Sequence, residues 1–234
     1  MKRLFLFVLL STLVFSCANS QQSRGKAAAG KSSALSYPEG VAPVSEIDAP
    51  LAGLSKAVFA GGCFWCVEGV FERVEGVEEA ISGYAGGTSP SPTYKKVASG
   101  VTDYAEAVIV YYDADRVSYD ALLTAFFSGH DPTQLNRQGP DVGKQYRSGI
   151  YYQNEAEKEA AEAFIKKLDE SGRFGKPVVT EVKPLGTFYA AEGYHQDYIV
   201  HNPNQPYVVG VSMPKIEKFM KAHPELLKDK YRKP

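Results

Sequence analysis

Between residues 56 and 71 the chain changes from strand to helix across a pair of glycines. Lys56-Ala57-Val58-Phe59-Ala60 is a short apolar strand that runs into Gly61-Gly62. From Cys63 onward, Phe64, Val67, Val70 and Phe71 recur at three- and four-residue spacing, with Glu68, Glu72 and Arg73 on the other side, which is a helical pattern. Further strands are predicted over residues 77–84, 106–112, 148–152 and 178–182. Helices are predicted over residues 119–128, where Ser118 is a good N-cap and Gly129 a stop, and over residues 155–170. The second of these has a capping-box-like start in Asn154 and Glu157 and an end at Gly172. Beyond Gly186 the chain is rich in Tyr, Asn, Pro and Gly, and it closes with a helix near residues 214–221. The mixture lacks the regular alternation of a doubly wound sheet. It predicts one α+β domain: a mixed β-sheet with helices packed in a two-layer sandwich, and a long irregular C-terminal wrap. With 234 residues, 44% of them hydrophobic, the chain can bury such a core without staples.

The first fifty residues read differently. Lys2 and Arg3 precede an apolar block over residues 4–14, too short to cross ~30 Å of hydrocarbon as a permanent helix. That is the pattern of a secretory signal peptide, over residues 1–16. The block ends in Val14-Phe15-Ser16-Cys17, which resembles the lipobox of bacterial lipoproteins and implies cleavage before Cys17 and a lipid on its sulfur. An ordinary signal peptide with a chance cysteine is the alternative. Residues 18–36 are mostly Ser, Gln, Ala, Gly and Lys with no hydrophobic period. Residues 17–53 are therefore expected to be a lipid-anchored flexible tether, partly docked where Pro38, Pro43 and Pro50 fall, with the folded domain over residues 54–234. The expected location is the periplasmic or cell-envelope face of a membrane. Lys and Arg number 26 against 27 Asp and Glu, so no basic excess points to nucleic acid.

With Cys17 assigned to lipid, Cys63 and Cys66 remain, flanking Phe64 and the single tryptophan, Trp65. Three cysteines are too few for a disulfide scaffold. The unpaired N–H groups and the dipole at a helix N-terminus favour a thiolate, which would make Cys63 a nucleophile. Gly61 and Gly62 let the backbone turn tightly and leave the sulfur accessible. A structural disulfide, or two small buried hydrophobes, are the other readings of the pair. His130, His195, His201 and His223 have no close spacing that suits zinc, and no metal is expected.

Gly62-Cys63-Phe64-Trp65-Cys66 resembles the signature of peptide methionine sulfoxide reductases of type A. The similarity continues through Ser91-Pro92-Thr93-Tyr94, Ala105-Glu106-Ala107-Val108 and His130-Asp131-Pro132-Thr133-Gln134. It then runs through Gly143-Lys144-Gln145-Tyr146-Arg147-Ser148, His195-Gln196-Asp197-Tyr198 and Asn202-Pro203-Asn204-Gln205-Pro206-Tyr207, in the family's order. The resemblance implies thiol-dependent reduction of L-methionine S-sulfoxide, free or in oxidised proteins, with no bound cofactor. A sulfoxide sulfur is electrophilic only when its oxygen is protonated or strongly hydrogen-bonded, so the chemistry needs a thiolate, a proton donor and an apolar slot for the methyl.

On this resemblance Cys63 is the nucleophile and Glu106 the acid. Read alone, Glu106 is a strand-edge surface charge, whereas desolvation among Ala105, Ala107 and Val108 would raise its pKa toward neutrality. Tyr94 and Tyr146 match phenols that hydrogen-bond the sulfoxide oxygen, and Asp141 matches an acidic residue of the same site. Phe64 and Trp65 match an aromatic wall around the methyl, while His195, Tyr198 and Tyr207 complete the substrate-binding set, the first two by organising the loop that closes it. Many family members carry a resolving cysteine directly after the Asn-Gln-Pro-Tyr motif; this chain has Val208 there and no cysteine beyond Cys66. Either Cys66 resolves a Cys63 sulfenic acid and a thioredoxin-like reductant opens the disulfide, or an external thiol reduces Cys63 directly. A monomer is expected. Two rivals stand beside this reading: a Cys-x-x-Cys disulfide oxidoreductase, which leaves Glu106 and Tyr146 without work, and a non-catalytic lipid-tethered binding domain, whose thiols would be inert.

Overall fold

The structure, a computed structural model, describes residues 35–232. The readings placed on residues 1–16, Cys17 and residues 18–34 lie outside the described residues. The strands, in chain order, are β1 (Ala42–Pro43), β2 (Ser55–Gly61), β3 (Val77–Ala85), β4 (Ala105–Tyr112), β5 (Arg137–Gln138), β6 (Asp141–Val142), β7 (Ser148–Tyr152), β8 (Glu181–Pro184) and β9 (Tyr189–Ala190). The helices are α1 (Phe64–Phe71), α2 (Tyr94–Ala98), α3 (Tyr119–Gly129), α4 (Glu155–Glu170), α5 (Tyr198–His201) and α6 (Met213–Ala222). Seven strands form one sheet in the order β1-β9-β3-β4-β2-β7-β8, and β5 and β6 pair separately. The large sheet is mixed: β7 and β8 run parallel and its other neighbours antiparallel.

Every residue of β4 is buried, so its period of two sorts side chains between two covered faces rather than between core and water. Val108, Val110 and Tyr112 share one cluster with Phe64, Val67, Val70 and Phe71 of α1, Leu122, Phe126 and Phe127 of α3, and Ile216 and Phe219 of α6. Ala105, Ala107, Ile109 and Tyr111 belong to a second cluster with Val44, Leu51 and Phe188. Glu106 has the parity of Val108, so the strand's alternation turns it toward the helical layer. The sequence's α+β, two-layer expectation is what the chain adopts.

The packed chain begins ahead of Leu54. β1 pairs with β9 (Ala42 opposite Ala190), and the Val44 N–H donates to the Phe188 carbonyl at 3.0 Å. Lys56 and Tyr111 reach Asp48 Oδ2 at 2.7 and 2.8 Å. Leu35, Tyr37 and Ile47 pack against the second cluster. An apolar sheet face needs a lid, and this stretch is part of it.

Ser118 caps α3 by accepting from the Ala121 N–H at 3.2 Å, and Asn154 caps α4 through the Glu157 N–H at 3.0 Å. Glu157 reaches back one residue further than a capping box requires, accepting from the Gln153 N–H at 2.8 Å. The strand predicted over residues 178–182 is displaced to Glu181–Pro184. The Val178 N–H is taken by Asp169 Oδ1 at 2.8 Å and the Val179 N–H by the Pro132 carbonyl at 2.9 Å, so neither is available to a ladder. The C-terminal wrap is more helical than its composition suggests: α5 is followed by a π-helical stretch, Val208–Ser212, that runs straight into α6.

Candidate active site

Cys63 is the residue at which β2 and its glycines hand over to α1, and it occupies the N-cap position. Gly62 has φ +96, and a Cβ there would lie 2.6 Å from the Gln138 side chain, so both conformation and space require glycine. Cys63 is 6% exposed and Cys66, one turn on, 2%. Both are free thiols in this structure. The two side chains are hydrogen-bonded to each other, and Cys66 Sγ also meets Ser212 Oγ at 3.3 Å and Lys215 Nζ at 4.0 Å.

Which thiol of the pair ionises more readily differs from the sequence expectation. Burial, the Cys66 sulfur and Glu106 push the Cys63 thiol up, against the help of the Trp65 backbone N–H. The Cys63 hydrogen bond, Lys215 and Ser212 bring Cys66 down to about 7. Cys66 is therefore the more readily ionised thiol of the pair, with the Cys63 side chain hydrogen-bonded to it. The helix N-terminus alone does not outweigh burial beside an acid.

Glu106 is 2% exposed, and its Oε2 accepts from the Phe64 N–H, the first of α1, at 3.1 Å. Burial dominates that hydrogen bond and raises its carboxyl to about 8, with Asp141 and Cys66 adding to the rise. At neutral pH Glu106 is thus a protonated acid next to Cys63, not a surface charge. Both residues line a cavity of about 180 Å³ with Phe64, Trp65, Tyr94, Asp141, Tyr146, Gln205 and Tyr207. Burial raises the Tyr94 phenol to about 12 and the Tyr146 phenol further, so both remain O–H donors. The Tyr207 hydroxyl donates to Asp141 Oδ2 at 2.6 Å, pinning β6 to the C-terminal wrap.

The structure thus brings together Cys63, Cys66, Glu106, Tyr94, Tyr146, Asp141, Phe64, Trp65 and Tyr207. His195 and Tyr198 are not among the cavity's lining residues; they stand behind Trp65 instead. Tyr198 stacks on the indole at 3.7 Å between centroids and 5° between planes, and the indole N–H donates to His195 Nδ1 at 3.3 Å. Such a stack contributes about 0.5–1.5 kcal/mol beyond its buried area, enough to fix a ring orientation. Burial takes His195 down to about 4, so it is neutral and accepts that hydrogen bond rather than acting as an acid.

Three residues escaped the sequence reading. Gln205 lines the cavity, its Oε1 held by the Val208 N–H at 2.9 Å. Glu192 accepts from the Tyr94 N–H at 3.0 Å and the Tyr84 hydroxyl at 2.9 Å, fixing the start of α2. Glu68 accepts from the Ser82 hydroxyl and from the Asp197 N–H, the latter at 2.6 Å, and so ties α1 to the turn that carries Tyr198. Glu68, Glu72 and Asp197 place their oxygens within 4.8 Å of one another, and burial with that company raises the Glu68 carboxyl. Glu68 was read only as the polar side of a helix; a glutamate facing the sheet looks the same in sequence.

A hydrogen-bonded thiol pair, a protonated buried acid and a cavity walled by aromatic rings define a cysteine-dependent oxidoreductase. The family model described as peptide methionine sulfoxide reductase matches residues 55–227, and the chain belongs to that family. The peptide methionine sulfoxide reductase MsrA of Nautilia profundicola is 55% identical over 172 residues, 74% of this chain and 98% of its own length. That of Natronomonas pharaonis is 52% identical over 171 residues, 73% of this chain and 96% of its own. Among solved structures, methionine sulfoxide reductase A of Corynebacterium diphtheriae matches with a TM-score of 0.59 and 37% identity, covering 66% of this chain and 77% of that one. Mxr1 of Saccharomyces cerevisiae in its reduced form matches with a TM-score of 0.59 and 35% identity, covering 64% and 87%.

Proposed function

We propose that this chain reduces the S epimer of L-methionine sulfoxide, free or in oxidised proteins, through a sulfenic acid on Cys63 that Cys66 resolves. The observation that carries the reading is the protonated Glu106 carboxyl, fixed on the Phe64 N–H beside Cys63 in a small aromatic cavity. The sulfoxide methyl packs against Phe64 and Trp65, and its oxygen faces Glu106, Tyr94 and Tyr146. As the Cys63 sulfur attacks the sulfoxide sulfur, its proton passes to Cys66 and the Glu106 proton passes to oxygen. With a second proton the sulfoxide S–O bond breaks and its oxygen leaves as water. A water then bonds to the Cys63 sulfur and gives up a proton as the bond to the methionine sulfur breaks, so methionine leaves with the electron pair and Cys63 is left as a sulfenic acid. Cys66 loses its proton, attacks Cys63 and displaces hydroxide, which leaves as water. A dithiol reductant of thioredoxin type then returns two electrons. A disulfide oxidoreductase would have no use for Glu106, Tyr94 or Tyr146.

One stoichiometric dose of the S epimer, followed by mass spectrometry of the unreduced protein, tests this. The expected products are methionine and a Cys63–Cys66 disulfide, with the R epimer left intact. A lone oxidised Cys63 that persists would instead leave reduction to an external thiol.

We also propose that residues 1–16 are a lipoprotein signal peptide, that Cys17 carries the lipid, and that a tether from Cys17 holds a monomeric catalytic domain at the cell-envelope face. The supporting features are Lys2 and Arg3, the short apolar block and Ser16-Cys17. Fatty-acid labelling of the protein in a lipoprotein-processing bacterium should be lost on Cys17→Ser, and label retained by that variant would remove the anchor.

A further inference from the structure

Cys66 carries more machinery than a spectator thiol or a simple spacer from Cys63 would require. The residue is 2% exposed and is not among those lining the substrate cavity, whereas Cys63 is. Ser212 Oγ lies 3.3 Å from the Cys66 sulfur and Lys215 Nζ 4.0 Å. Ser212 closes the π-helical stretch Val208–Ser212 and Lys215 lies on the first turn of α6, so the segment after Val208 provides the environment of the second sulfur without supplying a sulfur itself. Val208 is fully buried in the core.

We propose that Ser212 and Lys215 are the activating groups of Cys66, holding it as a thiolate, and that the dithiol reductant enters at Cys63 and expels Cys66 onto them. This rests on Cys66 being the resolving cysteine. In the resolving step the Cys66 thiolate forms an S–S bond to Cys63 as the S–O bond of the sulfenic acid breaks and water departs. In the reductive step a thiolate of the reductant bonds to Cys63, the Cys63–Cys66 bond breaks, and its electron pair stays on Cys66, where the Ser212 O–H and the Lys215 ammonium receive the charge. The reductant's second thiol then releases Cys63, and the reductant leaves as a disulfide. A thiol of lower pKa is the better leaving group, and the cavity gives access to Cys63 alone, so charge and access select the same sulfur for attack.

The groups that face Cys66 set the sign of its pH dependence. Cys63, Ser212 and Lys215 favour the thiolate, while Asp141 opposes it; Glu106 and Tyr207 also feel its charge. Lys215 is the cation among them. Without it, the midpoint moves from about 7 toward the ordinary cysteine value. The thiolate fraction at neutral pH then falls, offset in part because a more basic thiolate is more nucleophilic, for a net loss of about threefold in the resolving step.

The experiment compares the parent with Lys215→Met, Lys215→Arg, Ser212→Ala and Cys66→Ser. After one dose of sulfoxide, disulfide formation is timed by rapid quench from pH 6 to 9, and thiolate is titrated by ultraviolet absorbance. Lys215→Met should raise the thiolate midpoint and slow disulfide formation at neutral pH, with the deficit closing as pH rises. Lys215→Arg should restore both, and Ser212→Ala should show a smaller shift of the same sign. In a separate arm, a thioredoxin-type protein lacking its second cysteine should be captured by the oxidised parent on Cys63. An unmoved midpoint and rate in Lys215→Met, or capture on Cys66, would overturn the proposal. Failure of the underlying reading looks different: Cys66→Ser would then turn over with the dithiol reductant as the parent does, instead of stalling as a trappable sulfenic acid.

Discussion

Cys63→Ser reduces methionine sulfoxide more than a thousandfold more slowly than the parent, to the limit of detection in a single-turnover assay of methionine release; the size follows from losing the nucleophile itself. A serine oxygen fits the same N-cap position, and at 6% exposure the site tolerates the exchange without a large cavity, so the loss is chemical rather than structural. Oxygen cannot accept a second oxygen and give up two electrons as sulfur does. A far-ultraviolet dichroism spectrum identical to the parent's separates loss of chemistry from loss of fold. Measurable release of methionine at a tenth of the parent rate would mean that another group attacks the sulfoxide, and Cys66 would become the candidate.

Glu106→Gln is expected to lower kcat about 10²–10³-fold with little change in KM, the range for loss of a positioned general acid. The amide keeps the shape and still accepts from the Phe64 N–H through its carbonyl, but it has no proton to give. The pH profile provides the sharper test. Burial lifts the Glu106 carboxyl to about 8, so the acid form is complete below that pH and is lost as pH rises through it. The thiol pair works the other way, since its first proton leaves near 7 and must be gone. The parent should therefore show a narrow bell, and Glu106→Gln should keep the ascending limb while losing the descending one. A descending limb that survives in the variant would assign it to another group.

The parts of this site legible in sequence were those with a local cause. The glycine pair before Cys63, the spacing of Phe64, Val67, Val70 and Phe71, and the caps at Ser118 and Asn154 each act within a few residues, and the chain folds there as expected. Glu106 shows where local reading fails. Its neighbours allowed both a surface charge and a desolvated acid, and the choice was made by α1 lying across β4, a contact 42 residues apart in sequence. The lowered pKa of Cys66 was illegible for the same reason, because Lys215 and Ser212 are nearly 150 residues away along the chain. His195 and Tyr198 were found through their motif and expected to support the site by organising its loop; that they do so against Trp65 was not legible, since a motif names residues without saying which layer of the wall they occupy. The displaced strand near Thr180 follows tertiary hydrogen bonds that composition does not encode.

The stretch from Leu35 to Leu54 has a practical meaning for anyone trimming this protein. Its side chains pack against a cluster that includes Val58, Ile81 and Ile109. A shortened form that starts at Leu54 keeps every reacting group yet strips a greasy patch bare, and molecules so exposed tend to clump. Any trimming of this chain from its N-terminus has to spare this patch's cover.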